Sequence, residues 1–131
     1  MIARIDGGAR GNPGPGGYGV VLEDGNGKVL AELSRYLGRC TNNVAEYSGL
    51  LAALEKALEL RAANLRVFSD SELLVRQMTG QYKVKSPDLR PLYEEARRLS
   101  RKFANFRIEH VRREQNRAAD KLANRAMDEG A

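Results

Sequence analysis

The chain is poor in the residues that build the more specialised kinds of site. Of its 131 residues one is cysteine, one is histidine and none is tryptophan. A lone Cys40 excludes an intramolecular disulfide and a thiolate metal centre. It stands before Thr41 with no base offered nearby by sequence, so it reads as a small packed residue and not as a nucleophile. No run of 18 apolar residues is present, which excludes a transmembrane helix. "MIARIDGG" enters a strand-like segment at once and lacks the apolar core and cleavage site of a signal peptide, so a cytoplasmic protein is expected. The phosphate-cradling pattern G-x-x-x-x-G-K-[ST] is missing as well. No repeat, low-complexity tract or linker interrupts the chain, and its length suits a single domain, residues 1–131.

What is there is unevenly charged. The chain carries 22 Lys and Arg against 17 Asp and Glu, a net charge of +5. Residues 61–117 hold 14 of the basic residues and 7 of the acidic ones, while the flanking stretches are slightly acidic. A basic middle fits a polyanionic partner, and a solvated basic face would read the same way.

Glycine is concentrated in "DGGARGNPGPGGYG", Asp6 to Gly19, whose last six residues match G-x-G-x-x-G. A dinucleotide loop must open a helix, whose N-terminus holds the pyrophosphate. Here Gly19 is followed by "VVLED", a β-branched run, so the segment reads as a tight connection between two antiparallel strands. "ARI" before it is a short strand. "YGVVLED" and "KVLAELSRYLG" flank Asp24-Gly25-Asn26-Gly27, a hairpin signal. In "NNVAEYSGLLAALEKALELRA" the apolar residues Val44, Tyr47, Leu51, Leu54 and Leu58 recur at helical spacing. "NLRVFSD" is a strand, "SELLVRQM" a short helix and "TGQYKVK" a connector. Ser86-Pro87-Asp88 opens a further helix with Pro at its first position. "FRIEHV" is a strand, "RREQN" a loop, and Asn116 is placed to cap the helix "RAADKLANRAMDEG". The order β-β-β-α-β-α-α-β-α predicts an α/β fold with a mixed sheet and helices on its faces.

Four acids stand at junctions of these elements: Asp6 after the first strand, Glu46 in the first turn of the long helix, Asp70 at the tip of "LRVFSD" and Asp120 in the first turn of the last helix. Each alone has a local explanation: a turn residue, a capping-box partner of Asn43, an N-cap, a favourable helix-dipole charge. Together they can converge at one sheet edge, where mutual repulsion is costly without a cation. Carboxylates without cysteine or a suitable histidine match a hard cation, Mg²⁺ or Mn²⁺. Two such ions about 4 Å apart can activate a water and stabilise the leaving oxygen in phosphodiester hydrolysis.

"DGGARGNPGPGGYG", "TNNVAEYSGLLAAL", "FSDSELLVRQM" and "NRAADKLAN" occur in the order and spacing of type 1 ribonuclease H, and the chain closely resembles that family from Asp6 to about Met127. The resemblance implies the ribonuclease H-like fold, a five-stranded mixed sheet with its first three strands antiparallel, flanked by helices. It implies an endoribonuclease that cuts the RNA strand of RNA–DNA hybrids with two Mg²⁺ or Mn²⁺ ions, leaving 5′-phosphate and 3′-hydroxyl ends. By similarity Asp6, Glu46, Asp70 and Asp120 are the metal-binding catalytic carboxylates, with Asp6 bridging the ions. Asn42 and Asn43 match residues that meet the RNA strand in the minor groove, and Thr41 with Asn12 matches a seat for a DNA phosphate. A 2′-hydroxyl contact is what separates RNA from DNA. No appended hybrid-binding domain is expected, the partner is the RNA–DNA hybrid with no membrane, and a monomer is the default.

The alternative is a non-catalytic module binding hybrid or double-stranded RNA, which would need a broken carboxylate set; all four are intact. A DNA nuclease or integrase on the same fold is a third reading, against which the "TNN" asparagines and the glycine loop count. The sequence departs from the family in two places. The loop before Asp120 runs only from Arg112 to Gln115 and lacks the histidine many members carry there, with His110 at a structural position and Glu114 as a substitute candidate. The segment "TGQYKVKSPDLRPLY" is short, leaving Tyr82, Lys83 and Lys85 as candidate hybrid contacts. Glu72 stands where many relatives have glutamine.

Overall fold

The computed structural model describes residues 1–130. Its elements run β1 (Ile2–Ala9), β2 (Gly14–Glu23), β3 (Val29–Cys40), α1 (Asn42–Glu59), β4 (Asn64–Ser69), α2 (Glu72–Met78), α3 (Arg90–Ser100), β5 (Asn105–His110) and α4 (Arg117–Glu129), with a 3-10 turn at Arg113–Gln115 before α4. The five strands form one sheet in the order β3-β2-β1-β4-β5. β2 is antiparallel to β1 and β3, and β4 is parallel to β1 and β5. This is the expected five-stranded mixed sheet, antiparallel in its first three strands.

Local chemistry explains the meander. Asp24 Oδ1 accepts hydrogen bonds from the backbone N–H of Asn26 (2.8 Å) and Lys28 (2.9 Å), and Gly27 takes a φ of +83° that L-residues avoid. These fix the β2–β3 turn. Alternation then divides the faces of β1. Ala3 and Ile5 are buried with Val20 and Leu22 of β2 and with Tyr47, Leu50 and Leu54 of α1. α1 lies on β1 and β2 with α2 and α3 beside it, and α4 packs on β1, β2 and β3.

The glycines are the instrument of that packing, and here the structure differs from expectation. β1 and β2 run on through most of the glycine segment, leaving only residues 10–13 as a turn, closed by Arg10 N–H donating to Pro15 O at 2.8 Å. A Cβ on Gly7 would stand 2.5 Å from the Ala45 carbonyl carbon of α1. One on Gly19 would overlap the Ala119 carbonyl and stand 2.6 Å from Leu122 Cβ of α4. Asp6 pairs with Gly19 and Gly7 with Tyr18, so Asp6 and Gly7 face opposite sides and Asp6 looks toward α4. A second difference concerns α3, which begins at Arg90 and not at Ser86. The Ser86 carbonyl accepts from Leu89 and Arg90 in a preceding turn, and Pro91, not Pro87, occupies the opening of the helix, where its missing N–H costs nothing.

Candidate active site

Four elements each deliver one acid to the same end of the sheet: Asp6 from β1, Glu46 from α1, Asp70 just beyond β4 and Asp120 from the first turn of α4. All four line one cleft of about 800 Å³, together with Asn42, His110, Arg112, Arg113 and Glu114. The local explanations for three of the acids fail on the geometry. Thr41, not Asn43, caps α1, its hydroxyl accepting from Val44 N–H at 3.2 Å, and Glu46 lies past the first turn. Ser71, not Asp70, caps α2, accepting from Leu74 N–H at 3.2 Å. Asp6 sits inside β1 and not in a turn. Caps satisfied by hydroxyls leave the carboxylates for the cleft.

The electrostatics of the cluster follow from crowding. Burial, then the charge of Asp70, then a hydrogen bond and charge from Asp120 push the Asp6 carboxyl up to about 8, against one backbone N–H from Gly7. Burial pushes Glu46 up to about 7, Asp70 adds to it, and the Ser71 hydroxyl opposes it. Asp70 is also raised by burial, held back by its hydrogen bond with Asp6 and by the Arg113 guanidinium. Crowding of like charges in a half-buried site thus favours the protonated form of Asp6, hydrogen-bonded toward Asp70 and Asp120. Arg113 approaches Asp120 at 3.4 Å, and its charge also acts on Asp70. Among the described residues no three acidic, His or Cys side chains close into a ready-made cage.

The polar residues beside α1 form a chain. Asn12 Oδ1 accepts from the backbone N–H of Asn42 at 3.1 Å, and Asn42 Oδ1 accepts from Ala9 N–H at 2.7 Å. Of the four expected contact residues only Asn42 lines the cleft; Asn12, Thr41 and Asn43 lie around it in the adjoining turn and helix start. His110 is not packed in a structural position: it is exposed at the end of β5 and borders the cleft. Glu72 does not border it; Arg76 holds it at 2.7 Å and also stacks over Tyr82, 5.4 Å from the ring centroid.

Sequence reasoning misses the partners that act through folding. Ser71 near Glu46 and Arg113 near Asp120 carry no motif signal of their own. Asn116, expected to cap α4, occupies the capping position without making a side-chain cap bond. Its side chain is fully buried and donates instead to the Ile5 carbonyl at 2.7 Å.

Comparison with known proteins agrees with this architecture. Residues 4–126 match the family model described as reverse transcriptase-like. The bifunctional protein Rv2228c of Mycobacterium tuberculosis is 50% identical over the whole chain, which spans 36% of that protein. Ribonuclease HI of Halobacterium salinarum is 44% identical over 97% of the chain, which spans 64% of it. The chain therefore covers between a third and two thirds of the length of these relatives. The crystal structure of RNase H1 from the same archaeon is 43% identical, with a TM-score of 0.95 over 98% of both chains. LC11-RNase H1, solved in complex with RNA/DNA hybrid, is 45% identical, with a TM-score of 0.90 over 97% of this chain and 96% of that one. With the sheet order, the four motifs and the family match all in agreement, the chain belongs to the type 1 ribonuclease H family.

Proposed function

We propose that this chain is a divalent-metal-dependent endoribonuclease that hydrolyses the RNA strand of RNA–DNA hybrids, leaving 5′-phosphate and 3′-hydroxyl ends. The convergence of Asp6, Glu46, Asp70 and Asp120 on one cleft carries the reading. Their donor set is hard oxygen without sulfur, which fits Mg²⁺ or Mn²⁺, and Mg²⁺ keeps several of its waters instead of requiring a closed cage. The raised carboxyls of Asp6 and Glu46 fit as well, because a cation relieves the repulsion that raises them. When bound, two such ions activate water and stabilise the leaving oxygen of the phosphodiester.

The remaining groups are arranged to hold an acceptor-rich strand. Asn12, Thr41 and Asn42 each spend a side-chain oxygen on a backbone N–H of the protein. That leaves the amide NH₂ of each asparagine and the threonine O–H as donors. Phosphate oxygens only accept, and a 2′-hydroxyl accepts as well as donates. The same polar chain fixes these residues and leaves them donors that suit an acceptor-rich strand such as nucleic acid. Arg112 and Arg113 stand along the cleft near Asp120, where cations favour a polyanion. The hybrid bound in the LC11-RNase H1 structure supports the choice of substrate.

The test compares hybrid, duplex RNA and duplex DNA in one assay with Mg²⁺ or Mn²⁺. The RNA of the hybrid is cut, EDTA stops the reaction, and Asp70→Asn abolishes it while circular dichroism stays unchanged. A wild-type protein that binds hybrid and never cuts it with either metal would overturn the proposal.

A further inference from the structure

We infer that Asn116 is a positioning residue of the carboxylate cluster, locking the strand that carries Asp6 to the turn and helix that carry Arg113 and Asp120. The inference rests on the nuclease reading above and concerns the same site. Asn116 Nδ2 donates to the carbonyl of Ile5, one residue before Asp6, at 2.7 Å and across 111 positions of sequence. Its backbone carbonyl accepts from Asp120 N–H at 3.0 Å, and its own N–H donates to Arg113 O at 3.0 Å. Arg113 in turn meets Asp120. One residue thus touches, through three hydrogen bonds, the three segments whose relative placement sets the distances from Asp6 to Asp120 and Arg113.

Stability alone does not explain an asparagine there. Asn116 is 0% exposed. A carbonyl can only accept, so the NH₂ must face Ile5 O, and this sends Oδ1 inward. Oδ1 then lies buried without a partner among the described residues. A buried acceptor left unpaired is costly, and leucine would carry no Oδ1 to leave unpaired, at the cost of the hydrogen bond to Ile5 O. Helix capping does not explain it either, because the side chain makes no cap bond. What asparagine adds is a donor on a short arm, aimed at the backbone beside Asp6. Its value lies in geometry: small misplacements around reacting atoms cost large factors in rate.

Two variants test this. Asn116→Leu keeps a branched side chain of the same heavy-atom count, in bulkier form, and removes the donor, and Asn116→Ala removes the side chain beyond Cβ. For each, and for the wild type alongside, three quantities are measured: Mn²⁺ binding to the protein alone by calorimetry, kcat and KM on hybrid at saturating metal, and thermal melting by circular dichroism. Asn116→Leu is expected to fold with melting lowered by the added bulk and the lost hydrogen bond, to bind Mn²⁺ about 10-fold more weakly and to lose about 10- to 100-fold in kcat with KM almost unchanged. Asn116→Ala is expected to show the same losses with lower melting. A folded variant with wild-type metal affinity and kcat overturns the positioning role. So does failure of both variants to fold, which would make Asn116 a stability residue. A wild type that neither binds Mn²⁺ nor cuts hybrid overturns the nuclease reading itself, and the positioning role with it, before any variant is compared.

Discussion

At the scale of single residues, the raised carboxyl of Asp6 makes the clearest statement. Its folded pKa, about 8, lies above the ordinary value of 3.8. The folded state therefore binds the proton more tightly than the unfolded chain. That contribution is fully present below about pH 4 and is lost as pH rises toward 8. The metal-free wild type should accordingly lose melting temperature between pH 5 and pH 8 relative to Asp6→Asn. At pH 8 the variant should be the more stable by about 1–2 kcal/mol, a typical gain where a strained functional charge is removed. Mg²⁺ should restore the wild type and leave Asp6→Asn unmoved. Scanning calorimetry in EDTA and then in Mg²⁺ reads both, and parallel slopes for the two proteins would refute the raised carboxyl. The four acids were legible in sequence because their chemistry is carried by residue type and motif. Asn116 was not, since nothing in "QNRAAD" says that its side chain turns inward to Ile5 and away from the helix end. His110 was misplaced for a related reason: strand membership was readable, but what its side chain borders depends on where β5 ends.

At the scale of elements, glycine sets how closely helices approach the central strands. Gly19 admits the first turns of α4 to β2 directly opposite Asp6, and Gly7 admits α1 beside it. In Gly19→Ala the new methyl meets the Ala119 carbonyl of the backbone, which cannot rotate aside. The variant should lose about 1–3 kcal/mol in urea unfolding, the usual cost of overpacking. Its kcat should fall by more than that loss of folded protein explains, because Asp120 moves with α4. Gly25→Ala, with nothing within 4 Å of the added carbon, serves as the control and should change neither. The connector after α2 behaves as a clamped arm. Arg76 pairs with Glu72, donates to Gln81 Oε1 at 3.1 Å and lies over the Tyr82 ring, leaving Tyr82 48% exposed. Tyr82→Ala should weaken hybrid binding by about 1 kcal/mol, the lower end for an aromatic nucleic-acid contact, measured by fluorescence anisotropy. Element order was readable throughout because periodicity and turn chemistry are local. Ends were less so: nothing local distinguishes Pro87 from Pro91 as the start of α3, and the run of strand through the glycines depends on helices packed from both sides.

At the scale of the molecule, the basic middle of the chain is only partly neutralised. Arg66, Arg76, Arg90, Arg98 and Arg113 each face an acid. Lys83 and Lys85 are exposed and have no salt-bridge partner among the described residues. Hybrid affinity should therefore fall steeply with salt. Removing one of these lysines should flatten the log–log salt slope by roughly 0.7–0.9, one phosphate contact's worth, with little effect on sequence preference. An unchanged slope would remove that lysine from the contact surface. The sheet order has a further consequence, which concerns time. β1 is made first but sits at the centre, between β2, made next, and β4, made much later. Asp120 arrives last of the four acids. A ribosome-bound chain that stops short of α4 can pair its first three strands and still lack one wall of the cleft. The cleft is thus complete only once α4 has docked, and cutting of hybrid is expected to begin no earlier than that step.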